Sequence, residues 1–262
     1  MRSIHYQLYS DDTEKPWILL IHGLFGSADN LSGLRKLFTG SHQVLSIDLP
    51  DHGKSAFTTG FSFTSYAEKV VALLAHLDIH KVDVLGHSLG GKVAMSMALS
   101  FPNLVSSLVV LDIAPVHYAP RHQLVFDGLN SINLDTLSSR KEADLLLATH
   151  ISESSTRQFL LKSLYKDNER WKWRFNLDLL QREYHLLSEG IKASSTFDKP
   201  VLFIKGGKSD YLLLEHRSAI IALFPNSQSK VIPNAGHWLH AQNPTLCYKF
   251  AYSFLKVSNN LL

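Results

Sequence analysis

Short, mostly apolar runs punctuate this chain at positions 17–21, 44–47, 82–85, 108–111, 201–204 and, more weakly, 230–232. Runs of this length, rich in Val, Ile and Leu, suit strands buried on both faces, as in a parallel sheet covered by helices. Between them the period changes. Over 65–77, Ala67, Val70, Val71, Leu74 and Leu77 make a helical stripe, and Ser65 with Glu68 reads as the capping box that would start it. Strand and helix in alternation predict an α/β fold. From 117 to 197 the rhythm breaks into Leu, aromatic and charged residues without comparable strand runs. Helices are expected there over 140–149, 156–164 and 177–188. The segment reads as a helical cap inserted into one core formed by 1–116 and 198–262, and the tail 258–262 is expected to fray.

Composition narrows the class. With 45% hydrophobic and 19% charged residues the chain can bury a sizeable core. Its 26 basic and 23 acidic residues leave a net charge of only +3, too balanced to suggest a nucleic-acid or membrane partner. The lone Cys247 excludes an intrachain disulfide framework, fits a reducing compartment, and lies in an apolar stretch where a buried thiol is expected. No run reaches the ~18 apolar residues of a membrane span, and residues 1–9 carry no signal-like apolar region. A cytoplasmic protein without membrane insertion is therefore expected. The 14 His residues are scattered, so no metal site and no cofactor are called for.

The chemistry concentrates at three glycine-marked places. The strand run at 82–85 leads into Gly86-His-Ser88-Leu-Gly90, followed by a helical pattern with Val93, Ala94, Met97, Ala98 and Phe101 on one side. Strand, tight turn and helix are the context of a nucleophile elbow. Glycines flank the serine because side chains there would strike neighbouring backbone. The elbow lifts the Ser88 hydroxyl above the sheet and puts the Leu89 amide where an oxyanion would develop. The run 17–21 ends in His22-Gly-Leu-Phe-Gly26, whose Leu24 amide is the expected second donor. His22 and His87 are read as structural, and so is the Asp51–His52 pair in the next loop. Near the end of the chain, Ala235-Gly-His237-Trp follows a weak strand run. His237 is the expected general base for Ser88, with His240 a structural neighbour.

Together these motifs resemble the α/β-hydrolase superfamily over nearly the whole chain. The stretches His22–Asn30, Leu111–Val116, Trp173-Arg-Phe-Asn-Leu177 and Gly236–Ala241 narrow the resemblance to the YbfF-type bacterial esterases and similar mitochondrial hydrolases. That resemblance implies a mostly parallel sheet of about eight strands flanked by helices, a helical cap, and hydrolysis of small-molecule acyl esters or acyl thioesters such as acyl-CoA. The acid has two candidates. Asp210 lies in Gly206-Gly-Lys-Ser-Asp210, where many relatives place it, but in the alternative register Ser209 takes that position and YbfF-like enzymes carry no carboxylate there. Asp112 closes the run 108–111 at the sheet edge beside Ser88, and a buried carboxylate there needs a partner such as His237. Asp112 is favoured and Asp210 stays open. Phe25, Leu89, Tyr211 and Trp238 would surround the substrate, with Trp173 setting its fit from the cap. The rival readings are a carbon–carbon hydrolase or elimination catalyst of the menaquinone-pathway type, and a catalytically silent fold that only binds.

Overall fold

The computed structural model describes residues 4–10 and 12–259 of the 262-residue chain. Its first elements are β1 (Tyr6–Tyr9), β2 (Trp17–Ile21), α1 (Ser32–Phe38), β3 (Gln43–Ile47), α2 (Phe63–His76), β4 (Val82–His87), α3 (Leu89–Ser100) and β5 (Val105–Leu111). An excursion follows with α4 (Gln123–Asn130), α5 (Arg140–Ala148), α6 (Ser154–Leu161), β6 (Leu164–Asp167), β7 (Arg170–Trp173), α7 (Leu177–Arg182) and α8 (Tyr184–Ser188). The chain returns through β8 (Val201–Gly206), α9 (Arg217–Leu223), β9 (Ser227–Ile232), α10 (Leu239–Gln242) and α11 (Pro244–Asn259). Residues 258 and 259 continue α11, with Ser258 buried, rather than fraying; 260–262 lie outside the described residues.

Among the described residues the main sheet has seven strands in the order β1-β3-β2-β4-β5-β8-β9, where the resemblance implied about eight. Only β1 is antiparallel. Period-two alternation feeds a separate core on each face. Leu19, Ile21, Val84, Leu108 and Val110 join α2 and α3 on one side, while Ile18, Leu20, Leu85, Val109 and Leu111 join α1 and α11 on the other. That two-sided burial is why the strands read as mostly apolar runs without a polar face. The edge strands read weakly because most of β9 faces solvent and β1 alternates exposed with half-buried positions.

Local details depart from the expectations. Helix α2 begins two residues earlier than expected, with Ser62 as its cap: the Ser62 hydroxyl accepts the Ser65 N–H at 3.0 Å, so Ser65 is the third helical residue and not the cap. The excursion is not purely helical, because the expected helix over 156–164 stops at Leu161 and the chain enters the β6–β7 hairpin. The Asn168 and Glu169 turn that joins the strands has positive φ at both positions, the geometry that lets two short strands return on each other. The expected helix over 177–188 is broken into α7 and α8. No helix among the described residues is long and apolar enough to cross a membrane.

The topology fixes where a ligand can sit. Chain order reverses between β2 and β4, so the loops that leave these neighbours at their carboxyl ends diverge and open a crevice. The 22–26 loop leaves β2 there, and Ser88 leaves β4.

Candidate active site

Ser88 caps α3 at φ 52° and ψ −118°, a region that an L-residue occupies only under constraint. Such a conformation costs about 1–3 kcal/mol and persists only where the surroundings enforce it. The enforcement comes from close backbone approach. A Cβ on Gly86 would lie 2.3 Å from the Gly90 carbonyl, and one on Gly90 would lie 2.3 Å from the His22 carbonyl. The two glycines let the elbow and the β2 loop press together. That contact sets Ser88 beside the Leu24 loop, with Leu89 in the first turn of the helix, where amides carry the positive end of the dipole.

His237 reaches this elbow from the loop after β9. Its Nε2 lies 3.0 Å from Ser88 Oγ, and its Nδ1 lies 2.8 Å from Asp112 Oδ2. With Nδ1–H donating to the carboxylate, Nε2 is left to accept the Ser88 hydroxyl proton. Asp112 is fully buried at φ 52°, directly after β5. Its carboxylate also accepts the Gly206 N–H at 2.9 Å and the Ser209 hydroxyl, so the burial of its charge is compensated by three donors. Asp210 is not brought to the imidazole. Its side chain is 73% exposed and pairs with Arg121 at 2.9 Å. The guanidinium also lies over the Tyr211 ring at 4.8 Å, and that ring stacks on His237 at 3.9 Å between centroids.

The neighbouring histidines are neutral supports. His22 donates Nδ1–H to the Gly23 carbonyl at 2.8 Å and accepts the Leu49 N–H on Nε2 at 2.9 Å. Burial brings its pKa down to about 4. His87 donates to the His237 carbonyl at 2.9 Å and is held well below the ordinary value, mainly by burial. His240 packs on His87 at 4.3 Å, and burial lowers it to about 3. Asp51 and His52 do not form an acid–base pair. The Asp51 carboxylate accepts the Thr58 N–H and hydroxyl, the Tyr66 hydroxyl and the Asn176 amide, while His52 bonds the Pro50 carbonyl.

Two cavities meet at Ser88. The larger, about 500 Å³, is bordered by His237, Trp238, Phe25, Phe159, Val125 and Gln158. The smaller, about 50 Å³, is bordered by Leu24, Leu89, Ile113, Tyr118, Leu187 and Tyr211. Phe25, Leu89, Tyr211 and Trp238 thus line the space next to Ser88. Trp173 does not, which corrects the expectation of substrate contact. It is 7% exposed and stacks on Phe175 at 5.2 Å, and Phe175 in turn packs on Phe25 at 5.0 Å. Its motif neighbour Asn176 ties the excursion to the core through both its side chain and its N–H to Asp51. The Trp173–Leu177 motif therefore docks the excursion, and its marked sequence signal reflects that packing.

Two residues near the site had no assigned role in the sequence reading. Ser209 surfaced there only as the occupant of an alternative acid position, and here its hydroxyl holds Asp112. Lys92 gave one signal: it is the only charged residue in the α3 sequence. Because α3 is buried over nearly its whole circumference, that lysine lies in the interior.

The sequence matches the alpha/beta hydrolase fold family over residues 16–244. Over 229 residues, 87% of this chain and 88% of the other, it is 36% identical to Esterase YbfF of Escherichia coli. It is 34% identical over 261 residues to the sn-1-specific diacylglycerol lipase ABHD11 of Mus musculus, across 96% of this chain and 85% of the mouse protein. Among solved structures, a marine microorganism esterase superposes with a TM-score of 0.94 at 30% identity, over 97% of this chain and all of that one. The chain therefore belongs to the α/β-hydrolase family, within its YbfF esterase group.

Proposed function

We propose that this protein is a carboxylic ester hydrolase that works through an acyl-enzyme on Ser88. The hydrogen-bond chain Ser88–His237–Asp112 carries the reading. In this mechanism Ser88 Oγ attacks the acyl carbonyl while His237 Nε2 takes its proton. Negative charge develops on the carbonyl oxygen, and the amides of Leu24 and Leu89 receive it. Asp112 fixes the imidazole tautomer and stabilises the imidazolium. His237 then returns the proton to the leaving oxygen or sulfur, and water enters by the same route to release the acid.

Residues 117–197 act as a cap that borders the larger cavity with Val125, Gln158 and Phe159. Esters are the expected substrates, with acyl thioesters such as acyl-CoA a second class that the same chemistry accommodates. The intact relay favours an active hydrolase over a silent binding fold. Covalent labelling by a small fluorophosphonate tests this. Wild type should be modified once, on Ser88, and Ser88→Ala should lose labelling and nearly all turnover while melting as wild type does. Turnover that survives in a folded Ser88→Ala protein would overturn the mechanism. Acyl esters and thioesters of matched chain length, assayed side by side, decide the preferred leaving atom.

A further inference from the structure

Lys92 is only 2% exposed, one helical turn after Ser88 on α3. Its Nζ donates to the Ser188 carbonyl at 3.2 Å and to the Glu189 carbonyl at 2.5 Å, at the end of α8 where the excursion returns to the core. The ammonium also lies 4.9 Å from the Tyr118 ring centroid and 5.5 Å from that of Phe63. These contacts fall on a stem. The chain entering the excursion and the chain leaving it are joined by Tyr118 N–H to the Ser188 carbonyl at 2.9 Å and Ile191 N–H to the Pro115 carbonyl at 3.0 Å. Gly190 permits the approach, since a Cβ there would lie 3.0 Å from the Pro115 carbonyl.

The stem is connected to the reacting groups. The Tyr118 hydroxyl accepts the Ala114 N–H at 2.9 Å and donates to the Tyr211 carbonyl at 2.5 Å, and the Tyr211 ring stacks on His237. Lys92, Tyr118, Ser188 and Tyr211 all border the small cavity beside Ser88. Burial penalises the charged form of the amine and brings its pKa down to about 7, and an apolar side chain of similar length would fill the space without that cost. What an apolar side chain cannot do is hold two carbonyls in fixed directions.

We infer that Lys92 is a positioning residue for the hydrolysis: its Nζ, donating to two carbonyls, bolts the stem of the excursion to the nucleophile helix and so fixes the cavity wall against which substrate binds. This rests on the acyl-enzyme reading of Ser88. Because the bolt acts on the wall and not on the relay, substrate fit should depend on it more than chemistry does.

The test compares wild type with Lys92→Met and with Lys92→Gln, whose neutral side-chain amide keeps an N–H donor group. For a short acyl ester, Lys92→Met should raise KM by about five- to tenfold while kcat and the rate of Ser88 labelling by a small fluorophosphonate stay within about twofold, and Lys92→Gln should recover part of the loss. Hydrogen exchange at the Tyr118 and Ile191 amides should speed up in Lys92→Met and be slow in wild type. An unchanged KM in a folded Lys92→Met protein overturns the inference, and so does a fall in kcat and labelling at constant KM. Should Lys92→Met fail to fold, wild-type exchange still decides. Stem amides that exchange as fast as exposed loops show that nothing is bolted. Failure of wild-type labelling at Ser88 would instead overturn the underlying mechanism, which keeps the two failures distinguishable.

Discussion

At the scale of single residues, the competition between two carboxylates shows how position decides role. Asp112 and Asp210 leave the ends of neighbouring strands, yet only Asp112 is sealed from water and bonded to His237. Buried in low dielectric, its charge acts strongly on an imidazolium, whereas the exposed Asp210 charge is screened and already paired with Arg121. Asp112→Asn should keep the shape of the site but favour the wrong imidazole tautomer, costing up to ~10⁴ in turnover. Asp210→Asn should cost about tenfold or less, through Arg121 and the Tyr211 ring it covers. Kinetics on both variants, with thermal melts to exclude unfolding, checks the pair; a reversed order of effects would move the acid to the loop after β8. Ser209 joins the prediction, since its hydroxyl is one of three donors that hold the Asp112 carboxylate in place.

Elements act here through what they press against. The β6–β7 hairpin does not touch the larger cavity through Trp173, but the stacking of Trp173 on Phe175 and the edge contact of Phe175 with Phe25 transmit its position to a wall of that cavity. Removing the indole leaves a void in the excursion, where aromatic-to-alanine changes cost about 3–5 kcal/mol. Trp173→Ala should therefore lower the melting temperature and shift the preferred ester chain length, while fluorophosphonate labelling of Ser88 persists in the folded protein. Abolished labelling would mean that the hairpin supports the chemistry itself. The tie from the adjacent Asn176 to Asp51 should keep this part of the excursion docked when the stack is lost.

At the scale of the whole molecule, histidines buried in the neutral form set the response to acid. Burial lowers His22 and His122 to about 4, and His52 and His240 to about 3. In the unfolded chain each titrates near 6.5. Below that pH the unfolded state binds more protons, so stability present above about pH 6.5 drains away as pH falls toward the folded values. Each such group contributes a slope of about 1.4 kcal/mol per pH unit in that window. Melting temperature should drop steeply between pH 6.5 and 4, and His240→Gln should flatten the drop. A melting temperature constant across that range would contradict neutral burial.

Local patterns in the sequence carried most of the sheet, because strands buried on both faces are apolar at most positions, and they carried the elbow, because a Cβ at position 86 or 90 would lie 2.3 Å from a backbone carbonyl. They placed His237 by chain order and by its glycine-marked loop. The edge strand β1 stayed hidden since its alternating exposure resembles a loop, and the β6–β7 hairpin since four-residue strands leave little periodicity. Trp173 was misread as a substrate contact because aromatic composition does not say which way a ring faces. Sequence alone also left Asp112 and Asp210 unresolved, and gave no role to Ser209 or Lys92. Those depend on contacts spanning about a hundred residues of chain, from Asp112 to Gly206 and Ser209 and from Lys92 to Ser188, and such contacts exist only once β8 lies against β5 and the excursion closes on α3. A strand or an elbow is specified by the residues that form it, whereas a buried charge is placed by whichever distant groups compensate it.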